Sequence, residues 1–277
     1  MRIAGFGQGL FAIASAGLAV WSLIYADLAW GAPPLLARIP ARETFVYASG
    51  LIVLVASVGL CFPRTALPSV LTIGAYLAIG VALAVPQIFS EPLSMGAWYP
   101  FCEALTVLVG AAVLYAMLRR KSRGPWPILA SDGVMRTAQV LFGLSCVFYG
   151  WSHFVYAEYT AGMVPTWLAG RLAFAYFTGL AHIAAGIAII LRVLPRLAAA
   201  LEATMMSLFG LLVWVPSFFA QPRPQWATPT QHQWLELTVN LALAASAWLV
   251  TISFGNRPEP GALASPDTVA LRGNFPR

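Results

Sequence analysis

The chain has 277 residues, of which 60% are hydrophobic and only 9% are charged, and its mean hydropathy is +0.77. A soluble domain needs roughly 25% charged residues to cover its surface, so this composition excludes an ordinary soluble globular protein. The formal net charge of +6 does not indicate nucleic-acid binding, because the basic residues are distributed as a membrane topology requires.

Eight apolar segments are each long enough to cross a bilayer, which takes about 20 helical residues. In chain order they cover residues 4–24, 44–62, 66–89, 99–118, 137–157, 171–191, 197–219 and 234–253. The sequence therefore predicts an all-α integral membrane protein with eight transmembrane helices. The polar tail at 254–277 has no apolar period and is predicted to be disordered.

The basic residues predict the orientation of these helices. With the N-terminus in the cytoplasm, 12 of the 16 arginines and lysines fall in cytoplasmic segments and 4 fall outside. This is the bias expected of cytoplasmic loops, and its strongest marker is the cluster Arg119–Arg120–Lys121. We therefore expect a bacterial inner-membrane protein with both termini in the cytoplasm.

The second half of the chain repeats the first. Arg42, Phe45, Tyr47, Gly50 and Leu51 align with Arg171, Phe174, Tyr176, Gly179 and Leu180. The offset stays between 129 and 133 through four helices, which predicts an internal duplication. Repeat 1 covers residues 1–118, a basic cytoplasmic linker covers 119–136, and repeat 2 covers 137–253. Each repeat has an even number of spans, so both should have the same orientation.

Four charged residues occupy matching positions in the two repeats. Arg42 and Arg171 begin the second helix of each repeat, and Glu103 and Glu236 lie near the outer start of the fourth. Pairing within each repeat would neutralise both charges in a poorly hydrated place. We predict structural ion pairs at these positions, with ligand binding as the alternative.

Two histidines occur in repeat 2 only. His153 and His182 align with Leu23 and Val53 of repeat 1. Ionisable groups within a membrane are costly, so both are functional candidates. Three roles remain open: an interhelical hydrogen bond, proton transfer or contact with a quinone, and metal or haem ligation. The helical rise places the two residues roughly 10 Å apart in depth, which argues against a shared haem.

Other polar residues carry weaker signals. Glu202 is expected near the cytoplasmic end of the seventh helix, within reach of Arg196 or water. Pro86 and Pro216 could kink their helices and open a small cleft. Cys61, Cys102 and Cys146 are expected to be packed thiols, with no disulfide and no metal site. No common hydrolase, nucleotide-binding or metalloprotease motif occurs, and no catalytic residue is assigned.

Three stretches of repeat 2 resemble the DoxX family of bacterial membrane proteins. They are GWSHF at 150–154, MVPTWL at 163–168 and YFTGLAHIAAG at 176–186. The resemblance covers residues 137–253, one complete four-helix unit. Repeat 1 keeps the helix plan but lacks the S-H-F and A-H elements. The resemblance implies a compact four-helix bundle, here in tandem, and relatives among quinone-reducing thiosulfate oxidoreductase subunits and membrane thiol-redox proteins.

We therefore expect a ligand site in repeat 2 that opens toward the outer leaflet. Its candidate residues are His153, His182, Tyr149, Tyr176 and Glu236. The expected ligand is a quinone or another small hydrophobic molecule, and the expected partners are the lipid bilayer and a soluble or membrane redox protein. Two alternatives remain: a small-molecule transporter or exporter, and a non-catalytic anchor of a redox enzyme complex.

Overall fold

The structure, a computed structural model, describes residues 3–29, 41–120 and 125–255. All regular secondary structure in this part of the chain is helical. The helices are α1 (Ile3–Tyr25), α2 (Arg42–Gly59), α3 (Ala66–Ser90), α4 (Met95–Arg119), α5 (Asp132–Val155), α6 (Ala157–Met163), α7 (Arg171–Leu191), α8 (Pro195–Phe209), α9 (Val215–Ser217) and α10 (Thr230–Ser253). Short 3₁₀ helices cover Pro127–Ala130 and Gln225–Ala227.

The described residues contain eight helical segments that are long and apolar enough to cross a membrane. Seven of them are single helices, and the remaining one, Pro195–Ser217, consists of α8, a π-helical turn and α9. This confirms the prediction of an all-α integral membrane protein. The predicted disordered tail lies outside the described residues from 256 onward. Residues 30–40 and residues 121–124 of the basic linker, which include Lys121, also lie outside them.

Two predicted connections contain helix. α5 begins at Asp132, inside the predicted linker 119–136, because the Ser131 side chain caps it by accepting a hydrogen bond from the Val134 amide at 3.3 Å. The connection at 158–170 contains most of α6. Both segments are too polar or too short to register as membrane spans, so hydropathy alone does not find them.

The two most buried helices, α4 and α10, pack against each other at the centre of the protein. In α4 and α10, 67% and 61% of the most apolar stretch is buried, compared with 28% in α2 and in α3. α4 also packs against α3 and α5, and α10 packs against α1 and α8. α2 contacts α1 and α3, while α7 contacts α5 and α8. The two halves of the chain therefore share one core.

The outer surface of the bundle is apolar. Ile24, Val55 and Phe177 are 64–66% exposed, and Leu201 is 60% exposed. Exposed aliphatic and aromatic side chains on helices of this length are what contact with lipid tails requires. Burial and hydropathy thus agree on which surface faces the hydrocarbon.

Four glycines allow α5 and α7 to touch through their backbones. A Cβ atom added at Gly150 would lie 2.4 Å from the carbonyl oxygen of Gly179, and one added at Gly186 would lie 2.4 Å from that of Gly143. Gly143 and Gly150 on α5, and Gly179 and Gly186 on the antiparallel α7, are seven residues apart. Small residues therefore line both helices where they cross. This is the close packing that small residues provide between membrane helices.

The seventh span contains a π-helical turn at Gly210–Trp214, between α8 and α9. Pro216 lies two residues beyond the turn, and in a regular α-helix its ring would clash with the carbonyl of Leu212. Leu212 lies within the wider turn, which relieves that clash. Beyond the turn, the Gln233 side chain of α10 donates a 2.6 Å hydrogen bond to the Ser217 hydroxyl.

We expect Gly150→Ala to lower the free energy of unfolding by about 1–3 kcal/mol, the usual cost of overpacking. The new methyl group would overlap a backbone oxygen that cannot move independently of α7. Thermal unfolding in detergent measures the effect.

Gly9→Ala in α1 is the matched control, because nothing lies within 4 Å of its added Cβ atom. Its unfolding midpoint should equal or exceed that of the wild type, since alanine favours helix. Equal midpoints for the two variants would contradict the proposed close contact.

Candidate functional site

A histidine and a glutamate form a buried pair between α7 and α8. Nδ1 of His182 lies 2.7 Å from Oε1 of Glu202, and the two side chains are 1% and 0% exposed. As imidazolium with carboxylate, or as imidazole with carboxylic acid, the pair has no net charge. That neutrality is what allows two ionisable groups to remain in an apolar interior.

Glu202 lies on the buried face of α8, contrary to the sequence expectation that it reaches Arg196 or water. Ala198 and Ala199, four and three residues before Glu202, and the adjacent Ala203 are at most 8% exposed. Their small side chains bring α8 close to α7, which leaves a carboxyl group between the helices instead of at the surface. The alanine spacing is the signal that could have revealed this orientation.

His153 approaches His182 across the α5–α7 contact. The two ring centroids are 5.2 Å apart with an interplanar angle of 73°. The depth difference of roughly 10 Å inferred from the helical rise is therefore wrong as a measure of ring separation. Side chains tilt toward the N-terminus of their own helix, and in antiparallel α5 and α7 these tilts bring the rings together.

The hydrogen bonds of both rings involve Nδ1. Nδ1 of His153 lies 2.9 Å from the Thr178 hydroxyl and 3.3 Å from the Ala175 carbonyl oxygen. A carbonyl oxygen can only accept, so the contact with Ala175 is a hydrogen bond in the tautomer that carries the proton on Nδ1. No hydrogen bond within the described part of the chain engages Nε2 of either histidine.

Aromatic and thiol side chains surround the two imidazoles. The Tyr149 ring is 6.2 Å from that of His182, and the Phe209 ring is 6.1 Å from His153 and 5.8 Å from His182. The buried Cys146 thiol lies beside the Glu202 carboxyl group. Oε2 of Glu202 is buried and makes no hydrogen bond of ordinary geometry with any described residue, so the adjacent Cys146 thiol, a weak donor, is not aligned with it. The sequence did not identify Phe209, Cys146 or Glu202 as members of this cluster.

The other two predicted site residues lie outside the cluster. Tyr176 is 42% exposed, and its ring packs on Phe154 at 5.6 Å. Glu236 is near the start of α10, where its carboxylate lies 3.7 Å from Nε2 of His232. Partial burial raises the pKa of the nearby Tyr159 phenol in α6, and the charge of Glu236 contributes to the same shift.

The predicted Arg–Glu pairs within each repeat do not form. Arg42 pairs with Asp27 at 2.5 Å, because the chain after α1 brings that carboxylate to the start of α2. Arg171 makes no ion pair with any residue that the structure describes. Glu103 lies instead within electrostatic range of Glu236, across the α4–α10 contact.

No group of three or more His, Cys, Asp or Glu side chains among the described residues is arranged to hold a metal ion. The difference in depth predicted for His153 and His182 no longer argues against a shared haem. However, the two imidazoles are in direct contact, and a haem ligated by both would have to lie between them. Cys102 and Cys146 are buried free thiols, whereas Cys61 is exposed, which differs from the packed position expected for it.

An open groove of about 470 Å³ lies on the outer surface between α2 and α3, away from the histidines. Its lining is mainly apolar and includes Leu51, Ile52, Val55, Pro68 and Thr72. The groove lies in repeat 1, whereas the ligand site is predicted in repeat 2. No protein-family model, curated protein or solved structure matches the chain.

We expect a double-mutant cycle of His182→Ala and Glu202→Ala to show a coupling of about 1.5–3 kcal/mol, as for hydrogen bonds to charged groups. Either single substitution leaves a buried polar group unpaired, whereas the double variant removes both. Reversible unfolding in mixed detergent micelles measures the four free energies.

His232→Ala and Glu236→Ala provide a matched cycle for a histidine–glutamate pair at 3.7 Å near the surface. Its coupling should be about 0–1 kcal/mol, as for exposed ion pairs. A His182–Glu202 coupling no larger than this value would show that the buried pair contributes nothing specific.

Proposed function

We propose that the protein is a DoxX-like component of a membrane redox system that binds a quinone-like molecule at the His153–His182 cluster. The family resemblance carried by the motifs at 150–154, 163–168 and 176–186 favours this proposal. The chain would consist of two four-helix units in the same orientation in the bacterial inner membrane.

Two packing details support the internal duplication. A Cβ atom at Gly179 would lie 2.8 Å from Cβ of His153, and one at Gly50 would lie 3.1 Å from the Leu23 side chain. These contacts join positions that the sequence aligns between the repeats. The leucine of repeat 1 therefore takes the place of the histidine of repeat 2, which leaves repeat 2 as the copy with polar chemistry.

The observation that carries the functional proposal is the hydrogen bonding of the two imidazoles. In each ring Nδ1 faces a protein oxygen, so Nε2 remains for a ligand. Glu202 orients the His182 ring, and release of a proton from Glu202 keeps the pair neutral when Nε2 accepts one from the ligand.

The chemistry of the cluster fits a hydroquinone and its oxidised form. The ligand hydroxyl would donate to Nε2 of His182, and the quinone carbonyl would accept from the same atom once it is protonated. Aromatic neighbours such as Tyr149 and Phe209 provide apolar faces for a flat ring. Phe209 directly precedes the π-helical turn, a type of irregularity that is frequent at functional sites.

The protein's own residues would bind and orient this ligand and exchange its protons. Its electrons would pass to or from a redox partner protein, the class of partner expected from the sequence. The ligand would reach the site from the bilayer, since the outer faces of α7 and α8 carry exposed apolar residues such as Leu180 and Leu201.

We expect a short-chain benzoquinol to bind the purified protein and His182→Gln to weaken binding about tenfold, which corresponds to about 1.4 kcal/mol or one hydrogen bond. Glutamine retains a donor for Glu202, so the fold should be preserved. Equilibrium dialysis with the quinol and with the matching quinone measures the affinity.

His232→Gln is the control, because this histidine lies outside the cluster and its substitution should leave binding unchanged. The proposal fails if the wild type binds neither the quinol nor the quinone. It also fails if the two glutamine variants bind equally well.

The orientation predicted from the arginines has its own test. A reporter fused after Arg277 should be active if it requires the cytoplasm and inactive if it requires the periplasm. A second fusion within the connection between α6 and α7 should give the opposite result. Activity of the periplasmic reporter at the C-terminus would reverse the proposed topology.

A further inference from the structure

A stripe of polar side chains on α4 faces α5. Tyr99, Glu103 and Thr106 are four and three residues apart, so they lie on one face of the helix. The Tyr99 hydroxyl donates a 2.5 Å hydrogen bond to the Ser152 hydroxyl of α5, and the Thr106 and Tyr149 hydroxyls are 3.0 Å apart. Glu103 therefore lies between two hydrogen bonds that join the same pair of helices.

Glu103 faces other titratable groups but no cation. Tyr99 and Cys102 on α4, Tyr149 on α5 and Glu236 on α10 all lie within electrostatic range of it. Among the residues described, neither glutamate forms an ion pair with an arginine or lysine, and Glu236 has only His232 beside it. Two neighbouring carboxylates repel each other, and no arginine or lysine of the described residues offsets that repulsion.

The inner end of this stripe reaches the histidine cluster. Tyr149, which contacts Thr106, packs its ring against His182, and His182 contacts Glu202. Among the described residues, Oε2 of Glu202 has no hydrogen-bond partner although the side chain is fully buried. A buried polar atom without a partner is costly, so Oε2 is a place where a donor would be stabilised. This observation is independent of the two outer glutamates.

We propose that protons reach the His182–Glu202 pair along the α4–α5 interface, from the membrane face at which α4 begins. Glu103, beside Glu236, is the outermost group of this route, and the hydroxyls of Thr106 and Tyr149 are its intermediate groups. The inference rests on the proposed function, because it identifies where the protons exchanged with a bound quinol come from and go to.

The transfer balances without any redox step. Each hydroxyl oxygen accepts a proton while its own hydrogen passes to the next acceptor, and rotation of the hydroxyl then restores the starting state. A water that accepts from the Tyr149 hydroxyl and donates to Glu202 would bridge the remaining gap and leave Nε2 of His182 to the ligand. Glu202 accepts the proton at the end of the route, and deprotonation follows the same groups in reverse.

The route has a consequence for the direction of proton movement. In the orientation predicted from the arginines, α4 begins at the outer face. Oxidation of a bound quinol would therefore release protons outside the cell. On the cytoplasmic side of the cluster, α5 carries the buried Gln139, whose amide donates to the Ser253 hydroxyl at 3.0 Å. A route past Gln139 from the cytoplasm is the alternative that the test must distinguish.

The test uses the full-length protein in lipid nanodiscs without any quinone. After a rapid pH jump, infrared spectroscopy follows protonation of the buried pair, and the carboxyl band that is lost in Glu202→Gln identifies Glu202. We expect Glu103→Gln and Thr106→Val to slow this protonation roughly 10²-fold, the lower range of what a positioned acid–base group contributes. Both substitutions nearly preserve side-chain shape, and unfolding midpoints verify the fold.

Glu91→Gln is the matched control, because Glu91 is an exposed glutamate at the end of α3 on the same face. Its rate should equal that of the wild type. Equal rates for Glu103→Gln and Glu91→Gln would overturn the proposal, and so would slowing by Gln139→Leu alone. The pH jump contains no quinone, so it tests the proton route alone. The dialysis experiment tests quinone binding, and the two proposals can therefore fail separately.

Discussion

The backbone contact between α5 and α7 determines what the rest of the polar cluster can do. Packed helices ordinarily keep their axes 8–10 Å apart, and glycines at the crossing bring these two closer. The contact sets the imidazoles of His153 and His182 edge to face at 5.2 Å. A single methyl group at Gly150 would push the helices apart and separate the rings. The glycines are therefore structural residues on which the placement of the site depends.

Electrical neutrality is the second condition for this cluster. Within a bilayer an isolated carboxylate is costly, and Glu202 is tolerated because His182 contacts it at 2.7 Å. The alanines beside Glu202 make room for that contact. Among the described residues only Oε1 of the carboxyl group makes a hydrogen bond, which leaves Oε2 buried without one.

The sequence predicts the eight spans well, because a bilayer imposes one length and one polarity on every helix that crosses it. It singles out His153 and His182 because aliphatic residues occupy the aligned positions of repeat 1, and Tyr149 because it is near them in sequence; the structure brings these three rings together, while their binding role stays a prediction. It misses Glu202, because distance from a helix end does not reveal which face of the helix a residue occupies. Pairing of Arg42 with Asp27, and the outward position of Tyr176, depend on loop paths and side-chain directions that hydropathy does not encode. The duplication, the orientation and the family resemblance remain predictions from sequence.

The π-helical turn at Gly210–Trp214 lets one span direct its side chains toward two separate sets of contacts. A wide turn contains one residue more than an α-helical turn, so it rotates everything after it by about 100°. Before the turn, Glu202 and Phe209 meet the histidines of α7 and α5. Trp214, the last residue of the turn, meets Trp226, and Ser217 beyond it meets Gln233 of α10. Loss of one residue here would restore a uniform cylinder, and one of these two sets of contacts would then point into the lipid.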